Sequence, residues 1–333
     1  MRIGIVGGAG HGGTAVEAAA RLAQETYCGY CPSYAGEDLT ALEEGMRRAR
    51  LAPPRFSNYM ELVERAQPDV LVVDSMFCDH DKITAYALRR NIHVYCDKPL
   101  ALTLGGLRTL KQAARQSKAT VWAMQTMRYD PWMYTAHCLM QQQAVGQVRM
   151  LHCQKSYRLG KRAPFYYDRS TFGGIIPWIA IHGIDMIRYL YPAQFLTAYA
   201  RHSRLGAGNR GDLGDLELTA MCMFTMEDEV AAQVQADYLR PESAPTHGDD
   251  RVRVVGSEGM LEVRGEQVYL INKDHAGLEP IPLRTPPLIF EDFIHTLQGK
   301  GSGLFSQEES FYETQVALLA RQSADTGHIV PVG

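Results

Sequence analysis

Residues 2–13 read Arg2-Ile3-Gly4-Ile5-Val6-Gly7-Gly8-Ala9-Gly10-His11-Gly12-Gly13, a short apolar strand followed by a glycine loop. An alanine-rich stretch typical of a helix follows at 12–24. The loop satisfies G-x-G-x-x-G from Gly8, and from Gly7 with Ala9 in the second position. Glycines permit the tight turn and let backbone N–H groups approach a pyrophosphate at a helix N-terminus. We therefore predict a Rossmann unit in which a dinucleotide contacts Gly7, Gly8, Gly10, His11, Gly12 and Gly13.

The pattern around this loop predicts two domains, a Rossmann domain over 1–125 and a substrate and oligomerisation domain over 126–333. The first part alternates strands at 2–6, 27–31, 69–73, 92–96 and 119–124 with helices, which is typical of a parallel α/β sheet. Beyond residue 147 the stretches with alternating polarity are longer, at 148–157, 196–204, 216–226, 230–239, 251–256 and 259–271. With helices at 178–191, 288–298 and 307–325, they predict an α+β domain with a large, mostly antiparallel open sheet. The segments 205–214 and 240–250 are predicted to be exposed loops.

Bulk composition argues against several classes of protein. A formal charge of −3 over 333 residues gives no sign of nucleic-acid or membrane-surface binding. No apolar run approaches the ~20 residues of a membrane span, and no signal peptide is evident, so we expect a cytoplasmic protein. Seven scattered cysteines do not form a disulfide framework, and Cys28-x-x-Cys31 is interpreted as a pair of structural thiols. We expect no metal site.

The end of the second strand indicates which dinucleotide is bound. Here the chain reads Pro32-Ser33-Tyr34, and the first carboxylates that follow are Glu37 and Asp38, so the usual ribose-binding residue is missing from its usual place. No Arg or Lys occurs between residues 22 and 46 to pair with a 2′-phosphate. The pattern favours NAD over NADP, with Ser33 among the cofactor-binding residues.

A second motif, Cys96-Asp97-Lys98-Pro99, follows the strand at 92–96. Ligands of parallel sheets bind outside the carboxyl ends of the strands, so Lys98 is predicted to lie near the nicotinamide, with Asp97 also contacting the cofactor.

At this motif the sequence resembles the Gfo/Idh/MocA family, named for glucose–fructose oxidoreductase, inositol dehydrogenase and a rhizopine-catabolism protein. Asp97-Lys98-Pro99 is similar to the family's E-K-P turn, and His80 to a histidine that opens the preceding helix. Further matches span nearly the whole chain: Arg128-Tyr129-Asp130-Pro131, Phe172-Gly173-Gly174 through His182-Gly183-Ile184-Asp185, Val255-Gly256-Ser257-Glu258-Gly259 and the terminal helix. The resemblance implies a Rossmann domain, an open-sheet domain, sugar or cyclitol substrates and a homo-oligomer, either a dimer or a tetramer.

The resemblance also implies catalytic roles. His182 is expected to accept the hydroxyl proton, Lys98 to stabilise the substrate oxygen, and Asp185, one helical turn further on, to support the site. Two positions depart from the family pattern: Asp97 replaces a Glu, and Trp178 replaces an Asp four residues before His182. Substrate contacts are expected from Arg128, Tyr157, Trp178 and His247. We expect the ammonium of Lys98 and the imidazole of His182 to act at the same dinucleotide.

Three functions remain open at this point. The first is NAD(P)-dependent oxidation of a secondary hydroxyl of a sugar, a cyclitol or a derivative. The second is glycoside cleavage by transient oxidation and elimination, which consumes no net NAD and is suggested by Trp178. The third is a non-catalytic, NAD-binding sensor. Cations at Arg158, Lys161 and Arg162 suggest an acidic or phosphorylated sugar if they border the pocket, but surface statistics favour a solvated loop over this interpretation.

Overall fold

The computed structural model describes residues 1–205 and 213–333, which form two compact units. One unit comprises Met1–Gln125 and Pro287–Thr314, and the other comprises Thr126–Pro286 and Gln315–Gly333. The chain leaves the first unit after Gln125, but the segment 287–314, which we assigned to the second domain, belongs with the first unit. One reason is Gln307, whose Oε1 accepts hydrogen bonds from the Val121 N–H at 3.0 Å and the Thr120 hydroxyl at 3.1 Å.

The helices of the chain are short apart from the last one. In chain order the α-helices are α1 Gly13–Glu17, α2 Thr40–Arg48, α3 Tyr59–Ala66, α4 His80–Leu88, α5 Leu104–Arg115, α6 Pro131–Gln141, α7 Arg169–Phe172, α8 Ile181–Leu190, α9 Ile289–Leu297 and α10 Gln307–Thr326. A π-helical turn, Ile176–Ala180, precedes α8. The predicted helix at 12–24 is thus limited to α1 and a 3₁₀ turn at Ala18–Ala20.

The first unit contains a five-stranded parallel sheet with the order β2-β1-β3-β4-β5. Its strands are β1 Arg2–Val6, β2 Thr26–Cys31, β3 Val70–Val73, β4 His93–Cys96 and β5 Val121–Ala123. Strand β3 is buried at all four residues, as expected for the centre of a sheet covered on both faces. Because β1, β3 and β4 are parallel neighbours, the residues that follow them meet at one edge of the sheet.

The second unit is built on a nine-stranded sheet with the order β13-β12-β11-β10-β6-β9-β8-β7-β14. Its strands are β6 Val148–Tyr157, β7 Phe195–Ser203, β8 Thr219–Met226, β9 Ala231–Asp237, β10 Gly248–Gly256, β11 Met260–Arg264, β12 Gln267–Asn272, β13 His275–Ala276 and β14 Val330–Pro331. All neighbours are antiparallel except β6 and β9. The predicted fold class, a Rossmann unit followed by a mostly antiparallel sheet, is confirmed.

The single strand predicted over 259–271 is in fact the hairpin of β11 and β12. Gly265 and Glu266 both have positive φ, +56° and +59°, which is the conformation of a tight two-residue hairpin turn.

Helix α8 lies directly on the inner face of the second sheet. A Cβ at Gly183 would overlap the side chain of Val234 in β9, so glycine allows the helix backbone to approach the strand. On the same face, β6 buries Leu151, Cys153 and Lys155 in alternation. The inward position of Lys155 places a cation where the alternation predicts an apolar residue.

One helical stretch, Arg169–Leu190, is long and apolar enough to cross a membrane. However, 89% of its apolar window is buried inside the protein, as in the core helix of a globular fold. The predicted loop at 205–214 falls largely on residues 206–212, which lie outside the described part of the chain. The cytoplasmic location stays a prediction.

Candidate active site

Two aspartates enclose the glycine loop of the first unit. Asp74 follows β3 and Asp97 follows β4, and both are buried. Asp97 accepts from the backbone N–H of His11 at 3.2 Å, and its other oxygen lies 2.9 Å from Nδ1 of the same residue. The loop and the Asp97–Lys98 turn are therefore fastened to each other.

The two aspartates have opposite ionisation tendencies. Burial, and then the Asp97 charge, raise the pKa of Asp74 well above its ordinary value, although the N–H groups of Gly12 and Gly10 act against this. Burial also acts to raise the pKa of Asp97, but His11, Lys98 and His80 together lower it to about 2. Asp74 is therefore the more easily protonated member of the pair, and Asp97 is the one that carries the negative charge.

Glu37 supplies the carboxylate that the end of β2 was expected to lack. It is buried, and it accepts from the Gly8 N–H at 3.1 Å and the Ser33 N–H at 2.6 Å. The Ser33 hydroxyl is also buried and has no partner among the described residues. An ideal Cβ at Gly13, where α1 begins, would meet nothing within 4 Å, so the start of the helix is open. These features fit NAD: a carboxylate and a hydroxyl for the ribose, and space for the pyrophosphate.

Lys98 is almost completely buried, with 1% of its surface exposed. Its backbone N–H donates to Asp97 Oδ1 at 2.8 Å. His80 supports the same turn, because its ring nitrogens lie 2.8 Å from the Pro99 carbonyl and 3.0 Å from the Ser75 carbonyl. The His80 ring therefore connects the residue after Lys98 to the end of β3.

In the second unit, two predicted site residues are joined in a buried ion pair. The Nε of Arg128 donates to Asp185 Oδ1 at 2.5 Å, and both side chains are at most 3% exposed. Arg128 also lies over the ring of Tyr189, with Cζ 4.9 Å from the centroid. The ion pair connects the segment that begins the second unit to α8. The same helix contains His182, which is 2% exposed. Arg128 thus has a partner within the protein, while its substrate contact and the supporting role of Asp185 stay predictions.

Trp178 is held by two tyrosines. Its side chain lies close enough to the Tyr238 phenol to act on the pKa of that group, and its ring meets Tyr166 edge-on at 5.9 Å. Burial is the main factor that raises the pKa of Tyr238 above its ordinary value, so this phenol stays neutral. The side chain in the place of the family's aspartate is therefore a fixed aromatic ring 7% exposed.

Tyr157 and His247 stack on each other at the end of β6, with ring centroids 5.2 Å apart. Both line a cleft of about 880 Å³ that also contains Asp249, Asp250 and Arg240. Lys155 lies 4.9 Å from the Tyr157 ring centroid and pairs with Asp250 at 2.5 Å. The predicted substrate residues Tyr157 and His247 are thus together at one cleft.

The cysteines and possible metal ligands contribute no chemistry that we can identify. All seven thiols are free, and burial raises the pKa of Cys31 to about 12, which disfavours a reactive thiolate. Within residues 1–205 and 213–333, no group of three His, Cys, Asp or Glu side chains is arranged to hold a metal ion.

Sequence reasoning missed Asp74 and Lys155, although each had a signal. Asp74 directly follows a buried strand of a parallel sheet, where ligand-binding residues gather. Lys155 lies at an inward position of an alternating strand, where an apolar residue is the rule. Glu37 was seen but not assigned, because its distance from the loop exceeded the usual spacing.

The fold and the loop define a dinucleotide-binding oxidoreductase, and comparison with known proteins agrees. Residues 1–125 match the model of an oxidoreductase family with an NAD-binding Rossmann fold, and residues 133–262 match a GFO/IDH/MocA C-terminal domain. The chain therefore belongs to the Gfo/Idh/MocA family, and the resemblance inferred from the motifs is confirmed.

Individual relatives are named as oxidoreductases or as sugar and cyclitol dehydrogenases. A Thermotoga maritima structure provisionally described as an oxidoreductase is 40% identical, with a TM-score of 0.95 and full coverage of both chains. Levoglucosan dehydrogenase with NADH and levoglucosan has a TM-score of 0.81 at 18% identity, covering 100% of this chain and 99% of that one. Inositol 2-dehydrogenase 2 of Saccharopolyspora erythraea is 26% identical over 281 residues, 81% of this chain and 78% of that protein. Other curated relatives match over only 57–64% of their own length.

Proposed function

We propose that this chain is an NAD-dependent dehydrogenase that oxidises a secondary hydroxyl of a sugar, a cyclitol or a derivative of one. The observation that carries the proposal is Lys98, a lysine that is 1% exposed at the carboxyl end of β4 in an NAD-binding unit. A buried ammonium is costly, and here it is held beside an ionised aspartate in a turn that the glycine loop and His80 fasten. Buried charged side chains that the surrounding structure holds in place are typical of functional sites.

The cofactor supplies a nicotinamide that takes hydride from the carbon bearing the hydroxyl. In the proposed reaction His182 accepts the hydroxyl proton, and the ammonium of Lys98 donates to the same oxygen as negative charge develops on it. Glu37 and Ser33 bind the ribose next to the adenine. The absence of a cation between residues 22 and 46 favours NAD over NADP.

The test is the formation of NADH from a panel of sugars and cyclitols, with product quantified alongside. Lys98→Met and His182→Asn should each lower kcat by at least about a hundredfold, in line with the usual contributions of positioned proton acceptors and charge-stabilising groups. Lys118→Met and His328→Asn remove exposed residues of the same types and should leave kcat unchanged. Full activity of either site variant would remove the role proposed for that residue.

Trp178 keeps a second candidate function open, namely glycoside cleavage with transient oxidation. An aromatic ring stands one turn before His182, where the family's dehydrogenases carry a carboxylate. The stoichiometry separates the two functions, because a dehydrogenase forms one NADH per product molecule and the cleavage reaction forms none. If NADH binds and no member of the panel is transformed, the sensor function is favoured.

We also propose that the chain forms a homo-oligomer through the outer face of the nine-stranded sheet. Four large apolar side chains there are exposed, Met150 by 42%, Tyr199 by 39%, Met221 by 50% and Met223 by 61%. Light scattering should give at least a dimer, and Met223→Glu should shift the mass toward the monomer. A monomeric wild-type chain would contradict this proposal.

A further inference from the structure

Two arginines of the second unit lie close together beside the aromatic residues near Trp178. The Arg162 guanidinium carbon is 4.9 Å from the ring centroid of Tyr238 and 5.5 Å from that of Tyr166. Arg162 also donates to the Arg158 carbonyl at 3.4 Å, and the Arg158 N–H donates to the His247 carbonyl at 3.0 Å. Aromatic faces and backbone contacts therefore hold this segment at the end of β6, so it is not a freely solvated loop.

These guanidinium groups lack partners of opposite charge. The Nε atoms of Arg158 and Arg162 are both buried, and neither has a hydrogen-bond partner in the described part of the chain. No carboxylate of the described residues lies within 4.0 Å of either group. A charged group with unsatisfied donors is costly, and an anion is the partner that would neutralise these two guanidinium groups.

Neighbouring cations do have carboxylate partners, so Arg158 and Arg162 differ from them. Lys155 pairs with Asp250 at 2.5 Å, while Arg240 and Arg251 share Asp249 at 3.4 Å and 2.8 Å. Both arginines also lie near His247, because burial first, and then the charges of Arg162 and Arg158, lower its pKa. His247 and the Tyr157 ring stacked on it line that cleft.

Trp178 completes the electrostatic picture. It contacts Tyr166 and Tyr238, the same two rings that lie against Arg162. An aspartate at 178 would add a negative charge to the aromatic cluster that holds Arg162, and this charge would disfavour an anion there. The tryptophan removes that negative charge.

We propose that the substrate of this dehydrogenase carries an anionic group, a carboxylate or a phosphate, and that Arg158 and Arg162 bind it. Guanidinium groups form bidentate, charge-assisted hydrogen bonds with both anions. The stacked rings of Tyr157 and His247 offer an apolar surface to the carbon skeleton of the sugar. The inference rests on the proposed function where it concerns the reaction, but the binding test of the inference does not depend on that function.

The experiment uses matched trios of a neutral hexose, its uronate and its 6-phosphate, in the gluco, galacto and manno series. For the full-length chain with NADH bound, the affinity of each compound is measured by calorimetry; with NAD, kcat/KM is measured. We expect the affinity and the kcat/KM of one anionic sugar to exceed those of its neutral parent at least about tenfold. Whether that sugar is the uronate or the 6-phosphate separates a carboxylate from a phosphate. Arg162→Gln and Arg158→Gln should each lower the values for that anion by about tenfold to a hundredfold, but those for the neutral sugar by less than about threefold.

Lys161→Gln is the matched control, since it removes an exposed cation from the same segment and should change neither value. Arg162→Lys keeps the charge and should retain part of the anion preference if the glutamine variant does not fold. Equal binding of neutral and anionic sugars, or an equal loss for both in Arg162→Gln, would overturn the inference while leaving the dehydrogenase proposal intact. If no compound is oxidised, the proposed function fails, and the calorimetric arm alone decides the inference.

Discussion

The glycine loop allows a sharp test, because its glycines differ in what a side chain would meet. A Cβ added at Gly10 would overlap Asp97 Oδ2 and would also lie 3.0 Å from Asp74 Oδ1. A Cβ added at Gly13 would meet nothing within 4 Å. Gly10→Ala and Gly13→Ala therefore make the same chemical change at two positions three residues apart, one filled and one open.

The expected magnitude follows from what Asp97 holds. Its carboxylate binds the backbone and ring of His11 and the N–H of Lys98, so moving it loosens the loop and the lysine turn together. Overpacking of this kind costs about 1–3 kcal/mol, and we expect Gly10→Ala to lose that much free energy of unfolding. If restoring the binding conformation of the loop costs a similar free energy in the folded state, NADH binds about five- to 150-fold more weakly. Gly13→Ala should be neutral or stabilising by up to about 1 kcal/mol, because it replaces glycine within a helix.

The two variants are compared by urea unfolding and by titration of NADH fluorescence. A double variant, Gly10→Ala with Asp97→Ala, provides the internal check, since it removes the overlapping carboxylate. Its loss of stability should be smaller than the sum of the two single losses, because the clash and the carboxylate are one interaction. Equal stability of Gly10→Ala and Gly13→Ala would refute the contact between the loop and Asp97.

Three further predictions concern buried groups outside the loop. Burial is the main factor that raises the pKa of Asp130 to about 6, so this carboxyl is more easily protonated in the folded chain and its contribution to stability is lost as the pH rises from about 4 to 6. In urea unfolding, Asp130→Asn should therefore gain on the order of 3 kcal/mol relative to wild type between pH 4 and pH 7. Arg128→Met should lose about 3–5 kcal/mol, since it leaves Asp185 as a buried charge, and adding Asp185→Leu should recover most of the loss. His80→Leu should lose about 2–4 kcal/mol, because the Pro99 carbonyl and a second carbonyl would lose their donor.

Each of these has a contrary result. A constant difference between Asp130→Asn and wild type across this pH range would show that the carboxyl does not titrate near 6. An additive loss in the Arg128 and Asp185 double variant would contradict the ion pair. Unchanged stability of His80→Leu would show that its ring does not hold the turn after β4.

Local patterns in the sequence were enough to predict the strand–loop–helix units. The run Asp69-Val70-Leu71-Val72-Val73 predicted a strand buried on both faces, and β3 is one. Helix α6 was not predicted, although Asp130-Pro131 has the order of an N-cap and a first helical residue. The parallel pairing of β6 with β9 could not be read from the chain, because it joins residues about eighty positions apart and depends on the packing of the whole unit.

Residues of the candidate site could be predicted where they belong to one short motif, but contacts between residues far apart in the sequence could not. The glycine loop and Lys98 lie in short motifs. By contrast, Arg128 meets Asp185 across 57 positions, and the loop meets Asp97 across 86. A motif identifies a residue type and its place on an element, but the partner that fixes its charge depends on which elements are neighbours.

The two departures from the family pattern differ in kind. Asp97 keeps the negative charge of a glutamate, and its carboxylate fills the space that a Cβ at Gly10 would need. His11 contacts that acid from the loop. Trp178, in the second unit, replaces a carboxylate in the aromatic cluster that holds Arg162, a guanidinium with no carboxylate partner among the described residues. Of the two departures, only Trp178 changes the charge, because aspartate and glutamate carry the same one. Neither departure requires the loss of Lys98 or His182, so we interpret Trp178 as a change in what the site binds, with the chemistry retained.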